Sequence, residues 1–177
     1  MDNTEFAEAD RQAMSMALRQ AQLAWRSGEV PVGAVVMLNG QVLAAGYNQP
    51  ITTSDPTAHA EVMALRQAAQ LLGNYRLPEC ELFVTLEPCA MCAMALMHAR
   101  IKRVVFAAKE PKTGAAGSVV DLFAIKQLNH HTALEQGLLA TESSQMLKQF
   151  FAEQRQKTRE ARDVSRASHA AHGCERH

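Results

Sequence analysis

Residues 81–108 read ELFVTLEPCAMCAMALMHARIKRVVFAA and predict a strand, a helix and a second strand in succession. ELFVTL and KRVVFAA are short apolar runs rich in β-branched and aromatic residues, which is typical of buried strands. Pro88 favours a helix start between them, because proline is common at the first helical position. A helical crossover makes the two strands parallel. The stretch therefore predicts an α/β sandwich rather than an all-antiparallel fold.

The flanking sequence predicts further helices and a β-hairpin. Apolar residues recur at helical spacing over residues 5–26, and two apolar runs meet at Asn39-Gly40, which favours a type I′ hairpin turn. The remaining predictions are a loop over 48–57, a helix over 58–73 ended by Gly73, an irregular segment over 111–137 and a helix over 141–162. We predict one domain over residues 1–163 and a polar, disordered tail over 164–177.

The composition is typical of a single globular domain. The chain has 177 residues, 47% hydrophobic and 20% charged, with a formal net charge of zero. This suits one domain with a sizeable core, and the overall charge does not by itself indicate a nucleic-acid partner. The C-terminal end is nevertheless basic. The acidic N-terminal segment MDNTEFAEADRQ lacks the pattern of a secretory signal, and no apolar run is long enough for a membrane span, so we expect a cytoplasmic protein without a membrane partner.

Cys89 and Cys92 form a Cys-x-x-Cys pair that admits several interpretations. It is half of a structural zinc site, a redox pair or a chance spacing. A four-ligand structural site needs a second Cys/His pair, and the sequence has no other cysteine pair. His59 lies upstream in His-Ala-Glu and supplies a third ligand, which leaves one tetrahedral position open, as in catalytic sites. We therefore predict one zinc ion per chain, bound by His59, Cys89 and Cys92.

Glu61 completes the pattern of a zinc deaminase. H-x-E followed by P-C-x-x-C is the signature of enzymes that deaminate nucleobases, in which the glutamate moves protons and does not bind the metal. Zinc lowers the pKa of bound water toward neutrality. Mid-helix, a spacing of two would point His59 and Glu61 apart, but at a helix start both can face one cavity. We predict that Glu61 is the catalytic acid and base.

Further blocks resemble one family, the bacterial tRNA-specific adenosine deaminases, within the cytidine and deoxycytidylate deaminase superfamily. The resemblance runs from Glu29 to Phe151. The matching stretches are EVPVGAVV, GYNQPI, DPTAHAEVMALRQ, NYRL, VTLEPCAMC, RVVF, KTGAAGS and LKQFF.

The resemblance implies a three-layer α/β/α sandwich with a mixed five-stranded, cytidine-deaminase-like sheet. It implies hydrolytic deamination of adenosine to inosine at the wobble position of a tRNA anticodon, with a tRNA anticodon stem-loop as partner and a homodimer as the assembly. The substrate-binding residues that it implies are Val30, Asn48, Ala58, Leu86, Glu110, Lys112, Thr113, Phe151 and Arg155. Lys157 and Arg159 extend the same basic helix.

Two departures from the family pattern bear on RNA contacts. Glu110 stands where the family typically has aspartate, and Glu153 and Gln154 stand in a helix that is usually denser in arginine. Two rival functions also remain at this stage. One is a deaminase of a free base or nucleoside, such as guanine or cytidine. The other is a zinc-stabilised binding module without catalysis, which gives Glu61 no role.

Overall fold

The computed structural model describes residues 6–172, with side chains described over 6–165. Five helices and five strands make up this part of the chain. In order they are α1 (Glu8–Arg26), β1 (Gly33–Leu38), β2 (Gln41–Tyr47), α2 (Pro50–Thr53), α3 (Ala60–Leu72), β3 (Cys80–Leu86), α4 (Ala90–His98), β4 (Arg103–Ala108), β5 (Ala133–Gln136) and α5 (Ala140–His172).

The strands form one mixed sheet in the order β2-β1-β3-β4-β5. β1 is antiparallel to both β2 and β3, whereas β3, β4 and β5 run parallel. The predicted mixed five-stranded sheet and the parallel pairing across α4 are both confirmed. Parallel strands align their carboxyl ends at one edge, and loops at that edge are the usual place for a binding site in α/β proteins.

Helices cover both faces of the sheet and produce the predicted three-layer sandwich. On one face, α1 packs Ala13, Met14 and Ala17 against Val35 and Phe83. On the other face, α3 and α4 pack against the alternate strand residues, including Val36, Val84 and Phe106. This alternation follows from the period of two along a strand.

Glycine permits the close approach of the helices to the sheet. A Cβ on Gly33 would lie 2.0 Å from the carbonyl oxygen of Ala17 in α1, and a Cβ on Gly46 would lie 2.6 Å from the backbone nitrogen of Ala64 in α3. A side chain at either position would therefore push a helix off the sheet.

Several local predictions hold. The hairpin turn has positive φ angles of 51° at Asn39 and 74° at Gly40, as a type I′ turn requires. Gly73 ends α3 in the left-handed conformation. The stretch predicted as a loop over 48–57, however, contains the single-turn helix α2, which Pro50 opens. Pro88 is not a first helical position, because Cys89 is the N-cap of α4 and Pro88 precedes it.

The C-terminal third differs most from the sequence predictions. The segment predicted as irregular over 111–137 ends in β5, a short edge strand that pairs with β4. The last helix begins at Ala140 and continues to His172, so it crosses the predicted domain end at residue 163. The expected disordered tail therefore differs from the structure over 164–172, where the sequence has no proline or glycine to stop a helix, and 173–177 lie outside the described residues.

Candidate active site

Two helix N-termini bring together the three predicted zinc ligands. His59 is the N-cap of α3, Cys89 is the N-cap of α4, and Cys92 lies in the first turn of α4. The Nδ1 atom of His59 is 3.7 Å from the Sγ atom of Cys89 and 3.6 Å from that of Cys92. Within the described residues, this is the one group of His, Cys and acidic side chains arranged to hold a metal ion.

The spacing of these donors fits zinc. All three ligand atoms lie within 4.8 Å of one another. In a tetrahedral site with Zn–S of about 2.3 Å and Zn–N of about 2.1 Å, nitrogen and sulfur ligands are about 3.6 Å apart, and a His-Cys-Cys set leaves the fourth position open. One zinc ion per chain therefore fits between His59, Cys89 and Cys92.

The helix termini and the donors together favour a thiolate at Cys89. A hydrogen bond from Cys92 is the main cause that lowers the pKa of Cys89 to about 4, and a hydrogen bond with His59 adds to it. The bond to Cys89 and then burial raise the pKa of Cys92. Bonding to Cys89 also raises the pKa of His59. The donors thus share protons among themselves, and a cation replaces those protons when the thiols coordinate it.

Glu61 lies in the first turn of α3, two residues after the histidine ligand. Its side chain is buried, with 4% of the residue exposed, and burial raises the pKa of Glu61 to about 7. The carboxyl group therefore exchanges a proton close to neutral pH, which is the range that suits a general acid and base.

A cavity of about 300 Å³ opens beside the zinc ligands. His59, Glu61 and Cys89 line it, so the predicted metal and catalytic groups share one space. Five of the predicted substrate-binding residues line the same cavity: Val30, Asn48, Leu86, Glu110 and Thr113.

Asn48 has a structural role as well as a place in the cavity wall. Its Oδ1 accepts a hydrogen bond of 2.9 Å from the backbone N–H of Ala60, the first residue of α3. Its own backbone N–H donates to the carbonyl of Val32. Asn48 therefore links the end of β2 to the start of the helix that carries Glu61, and its side-chain N–H groups form no hydrogen bond with the described residues.

Ala58 does not line the cavity. It is buried, its carbonyl accepts a hydrogen bond of 2.9 Å from the N–H of Gln49, and its N–H donates to the carbonyl of Asp55. Both of its backbone groups are thus used in holding the loop. A contact of Ala58 with substrate stays a prediction.

A second groove of about 510 Å³ adjoins the first. Val30, Leu86 and Glu110 line both, so the two form a continuous concave surface. The second groove contains the remaining predicted contact residues, which are Lys112, Phe151 and Arg155. Lys112 thus lies in the outer groove and not in the cavity beside the zinc ligands.

Glu87 is a buried carboxylate that the sequence analysis did not single out. Its two oxygens accept hydrogen bonds from the backbone N–H groups of Glu110, Ala116 and Ser118, at 2.9–3.1 Å, and from the Ser118 hydroxyl. Burial opposes the charged form, but these bonds together lower the pKa of Glu87. Gly114 lies against the same carboxylate, where a Cβ would approach within 2.5 Å.

Glu87 thereby fastens the loop that carries KTGAAGS to the zinc turn. The carboxylate lies two residues before Cys89, and the loop also pairs directly with the turn, through the N–H of Ala115 and the carbonyl of Pro88 at 2.8 Å. The sequence shows the motifs LEPC and KTGAAGS but not the contact between them. The contact consists mainly of hydrogen bonds from backbone N–H groups to a carboxylate, which no residue type predicts.

Glu29 is a third buried carboxylate in the cavity wall, beside Glu61 and Glu87. Its Oε1 accepts hydrogen bonds from the backbone N–H and the hydroxyl of Thr52, at 2.7 and 2.8 Å. Thr52 belongs to α2, whose residues Pro50 and Ile51 also line the cavity. Glu29 therefore holds α2 at the rim, opposite the zinc turn.

The fold and this site define a zinc-dependent deaminase. The family model described as the cytidine and deoxycytidylate deaminase zinc-binding region matches residues 7–108, which is more than half of the chain. A tRNA-specific adenosine deaminase from Haemophilus influenzae is 46% identical over 162 residues, which cover 91% of each chain. The chain belongs to the family of tRNA-specific adenosine deaminases.

Two further similarities agree with this membership. A tRNA-specific adenosine deaminase from Bacillus subtilis is 40% identical over 86% of this chain and 95% of its own. A structure from biochemical and structural studies of A-to-I editing by tRNA:A34 deaminases at the wobble position of transfer RNA superposes with a TM-score of 0.75. That protein is 43% identical, and the match covers 77% of this chain and 99% of the other. Among the described residues, no helix combines the length and apolarity that crossing a membrane requires.

Proposed function

We propose that this protein deaminates adenosine to inosine in tRNA, at the wobble position of the anticodon. One observation carries the proposal: a three-ligand zinc site and a buried, unligated Glu61 face a single cavity. Membership of the family supplies tRNA adenosine as the substrate class. The reaction adds water at C6 of the base, breaks the bond from C6 to the exocyclic nitrogen and releases ammonia.

His59, Cys89 and Cys92 hold the zinc ion, and Glu61 moves the protons. A zinc ion held there would lower the pKa of a water molecule toward neutrality and so make it a better nucleophile. Glu61 accepts one proton from the attacking water and delivers it to the ring. It then accepts the proton of the hydroxyl group now on C6 and passes it to the departing amine, so the C6–N bond breaks and ammonia leaves. Burial suits the carboxyl group to this exchange, since it keeps the protonated and charged forms close in free energy.

The cavity wall binds the base and its sugar. Val30 and Leu86 provide apolar surface for the ring, as is usual in pockets for small flat molecules. The side-chain amide of Asn48 donates to the nucleoside while its oxygen stays on α3. Glu110 and Thr113 contact the nucleotide at the mouth of the cavity, where the flipped nucleotide is joined to the rest of the RNA.

The outer groove binds nucleotides that flank the reactive adenosine. Lys112 and Arg155 neutralise phosphates, and Phe151, which is 45% exposed, offers a ring for stacking of an unpaired base. Sequence-specific recognition of RNA usually targets such unstacked loop bases. A free nucleoside would fill only the inner cavity and would not contact the adjoining groove, so the groove favours an RNA substrate.

A homodimer and a cytoplasmic location complete the proposal. A third groove, of about 250 Å³, lies on α4 away from the zinc ligands, where Met94 and Met97 meet Tyr75 and Leu128. Tyr75 is 63% exposed, Met94 is half-buried and Met97 is buried. Aromatic and methionine side chains are enriched at protein interfaces. The groove is therefore a suitable contact for a second copy, which sedimentation analysis tests directly. We place the protein in the cytoplasm because its proposed substrate, tRNA, is found there.

The test uses a transcribed anticodon stem-loop with adenosine at the wobble position. The protein is incubated with this RNA and, separately, with free adenosine, cytidine and guanine. We expect inosine in the RNA and no ammonia from the free compounds. The same stem-loop with guanosine at the wobble position, and Glu61→Gln protein, serve as controls. Ammonia from a free compound without inosine in the RNA contradicts the proposal and favours a free-base deaminase.

A further inference from the structure

The outer part of α5 extends beyond the body of the domain. The start of the helix is anchored: Ser143 is buried and bonds to the carbonyl of Thr85, and Phe150 is buried against Trp25. From Phe151 to Ser165, in contrast, every residue except the half-buried Gln154 is exposed. This stretch of helix is thus available to a partner over most of its circumference.

Basic residues are concentrated on one face of α5. At 100° per residue, Lys148, Arg155, Arg159 and Arg162 fall within about 60° of one another on the helix. Glu153 and Glu160 fall on the opposite side, and Asp163 falls at the edge of the basic face, about 40° from Arg159. A shallow groove along the first face is lined by Phe151, Gln154, Arg155, Thr158, Arg159 and Arg162, without an acidic residue. We name Lys148, Arg155, Arg159 and Arg162 the basic stripe.

Two of the acidic residues that thin the charge of this helix, Glu153 and Glu160, have partners away from the basic face. Glu153 accepts a hydrogen bond of 3.2 Å from the indole N–H of Trp25 in α1, and Glu160 accepts one from Gln156. Lys157, which the sequence grouped with Phe151 and Arg159, lies about 160° from Arg155 and so faces away from the stripe. In the part of the chain with described side chains, none of the four stripe residues forms an ion pair.

The stripe is continuous with the grooves at the active site. Lys148, Phe151 and Arg155 line the outer groove beside Lys112, and Phe151 and Arg155 also begin the stripe groove. From Lys148 to Arg162 the helix rises about 21 Å, which is long enough to follow several phosphates. A polyanion that leaves the cavity through the outer groove therefore meets the stripe next.

We propose that Arg159 and Arg162 bind the sugar-phosphate backbone of the paired RNA stem adjoining the loop that carries the reactive adenosine. This inference rests on the proposed function and adds a second, stem-directed surface to the loop-directed site. Regular charge on a rigid helix, without aromatic residues beyond Phe151, suits phosphate contacts rather than base recognition. The contacts are therefore independent of stem sequence and sensitive to salt.

The experiment compares two RNAs and two faces of the helix. The RNAs are the anticodon stem-loop and a single-stranded oligonucleotide with only the loop sequence. The variants are R159Q, R162Q and the double variant, with K157Q as the matched control, because it removes one positive charge from the opposite face. For each, kcat, KM and the salt dependence of KM are measured on both RNAs.

For the double variant on the stem-loop we expect KM to rise about tenfold near physiological salt, with a salt slope smaller by about two. We expect kcat to be unchanged, both parameters to be unchanged on the single-stranded RNA, and K157Q to match the unmodified protein. An equal effect on both RNAs, no effect on either, or an equal effect of K157Q overturns the inference. Failure of the unmodified protein to make inosine in the stem-loop overturns the proposed function instead, so the two failures are distinguishable.

Discussion

Charged side chains lie near both ends of the parallel strands β3 and β4, but they are paired at one end and not at the other. At the amino end, Arg103 forms ion pairs of 2.7–2.8 Å with Asp10, Glu81 and Glu135, and its guanidinium lies 5.7 Å from the ring centre of Phe83. At the carboxyl end, Glu61 is buried without an ion pair to any described Lys or Arg.

This difference separates stability from chemistry. Arg103 of β4 pairs with carboxylates on α1, β3 and β5, so this cluster holds one helix and three strands together. Burial is the main cause that raises the pKa of Glu61 to about 7, so this carboxyl group can exchange a proton with a substrate near neutral pH. We expect substitutions at the two ends to damage different properties of the protein.

The largest expected effect follows from removal of a ligand. Cys89→Ser should lose zinc and all detectable turnover, since the remaining two ligands bind zinc poorly. The free energy of unfolding should change little, because both apolar core clusters form without the metal. Zinc analysis, thermal unfolding and single-turnover assays measure the three properties. Unfolding on loss of zinc would instead support a structural zinc module.

Removal of the proton carrier should be nearly as damaging. We expect Glu61→Gln to lower kcat by about 10²–10⁴-fold, which is the usual contribution of general acid and base catalysis. Zinc content should equal that of the unmodified protein, because the amide does not disturb the three ligands. Turnover within about threefold of the unmodified protein, with zinc bound, would refute the assigned role of Glu61.

The Arg103 cluster should show the opposite behaviour. Arg103→Met leaves three acidic groups close together without their cation, which usually costs about 3–5 kcal/mol when the charges are buried. Since the carboxylates are up to 32% exposed, solvent screening reduces the expected loss to about 2–3 kcal/mol. Activity per folded molecule should be retained. Urea unfolding measures the change, and Lys102→Met, at the neighbouring exposed lysine, is the control.

Glu87 neither carries out the chemistry, as Glu61 does, nor joins several elements of the sheet, as Arg103 does. Its substitution should therefore give the smallest effect of the four. Glu87→Gln keeps one acceptor oxygen but turns an NH₂ group toward backbone N–H donors, so the loop over 110–118 should loosen. We expect KM for the stem-loop to rise about fivefold, with zinc content and kcat nearly unchanged, because loss of a hydrogen bond to a charged group costs about 1.5–3 kcal/mol, part of which relaxation of the loop recovers. Ser118→Ala, which removes one donor, should have a smaller effect.

Much of the fold was predictable because its signals are local. The β3-α4-β4 unit and the hairpin depend on periodicity and on turn residues that lie within a few positions of each other. β5 was missed as a local pattern, because Ala133–Gln136 is a four-residue edge strand without a fully buried residue. Its partner, β4, supplies the hydrogen bonds that define it.

The residues of the candidate site also divide into those with a local sequence signal and those without one. His59, Glu61, Cys89 and Cys92 are visible as spaced residue types, and their geometry agrees with the zinc site that the spacing predicts. The roles of Glu87 and Glu29 depend on backbone N–H groups distant in sequence, which any residue except proline supplies. No spacing rule predicts them. Lys157 lies about 160° from Arg155 around the helix, although the two are neighbours in sequence, so a contact of Lys157 with the same RNA stays a prediction.

The contact between α1 and α5 also gives the molecule an optical signal. Trp25 is the only tryptophan in the chain. Its indole packs edge-on against Phe150, with ring centres 5.9 Å apart, and donates to Glu153 at the point where α5 leaves the domain. Indole emission responds to both the polarity and the hydrogen bonding around the ring. The intrinsic fluorescence of the unlabelled protein therefore reports any tilt of this helix, so stopped-flow emission can time the arrival of RNA separately from the chemical step.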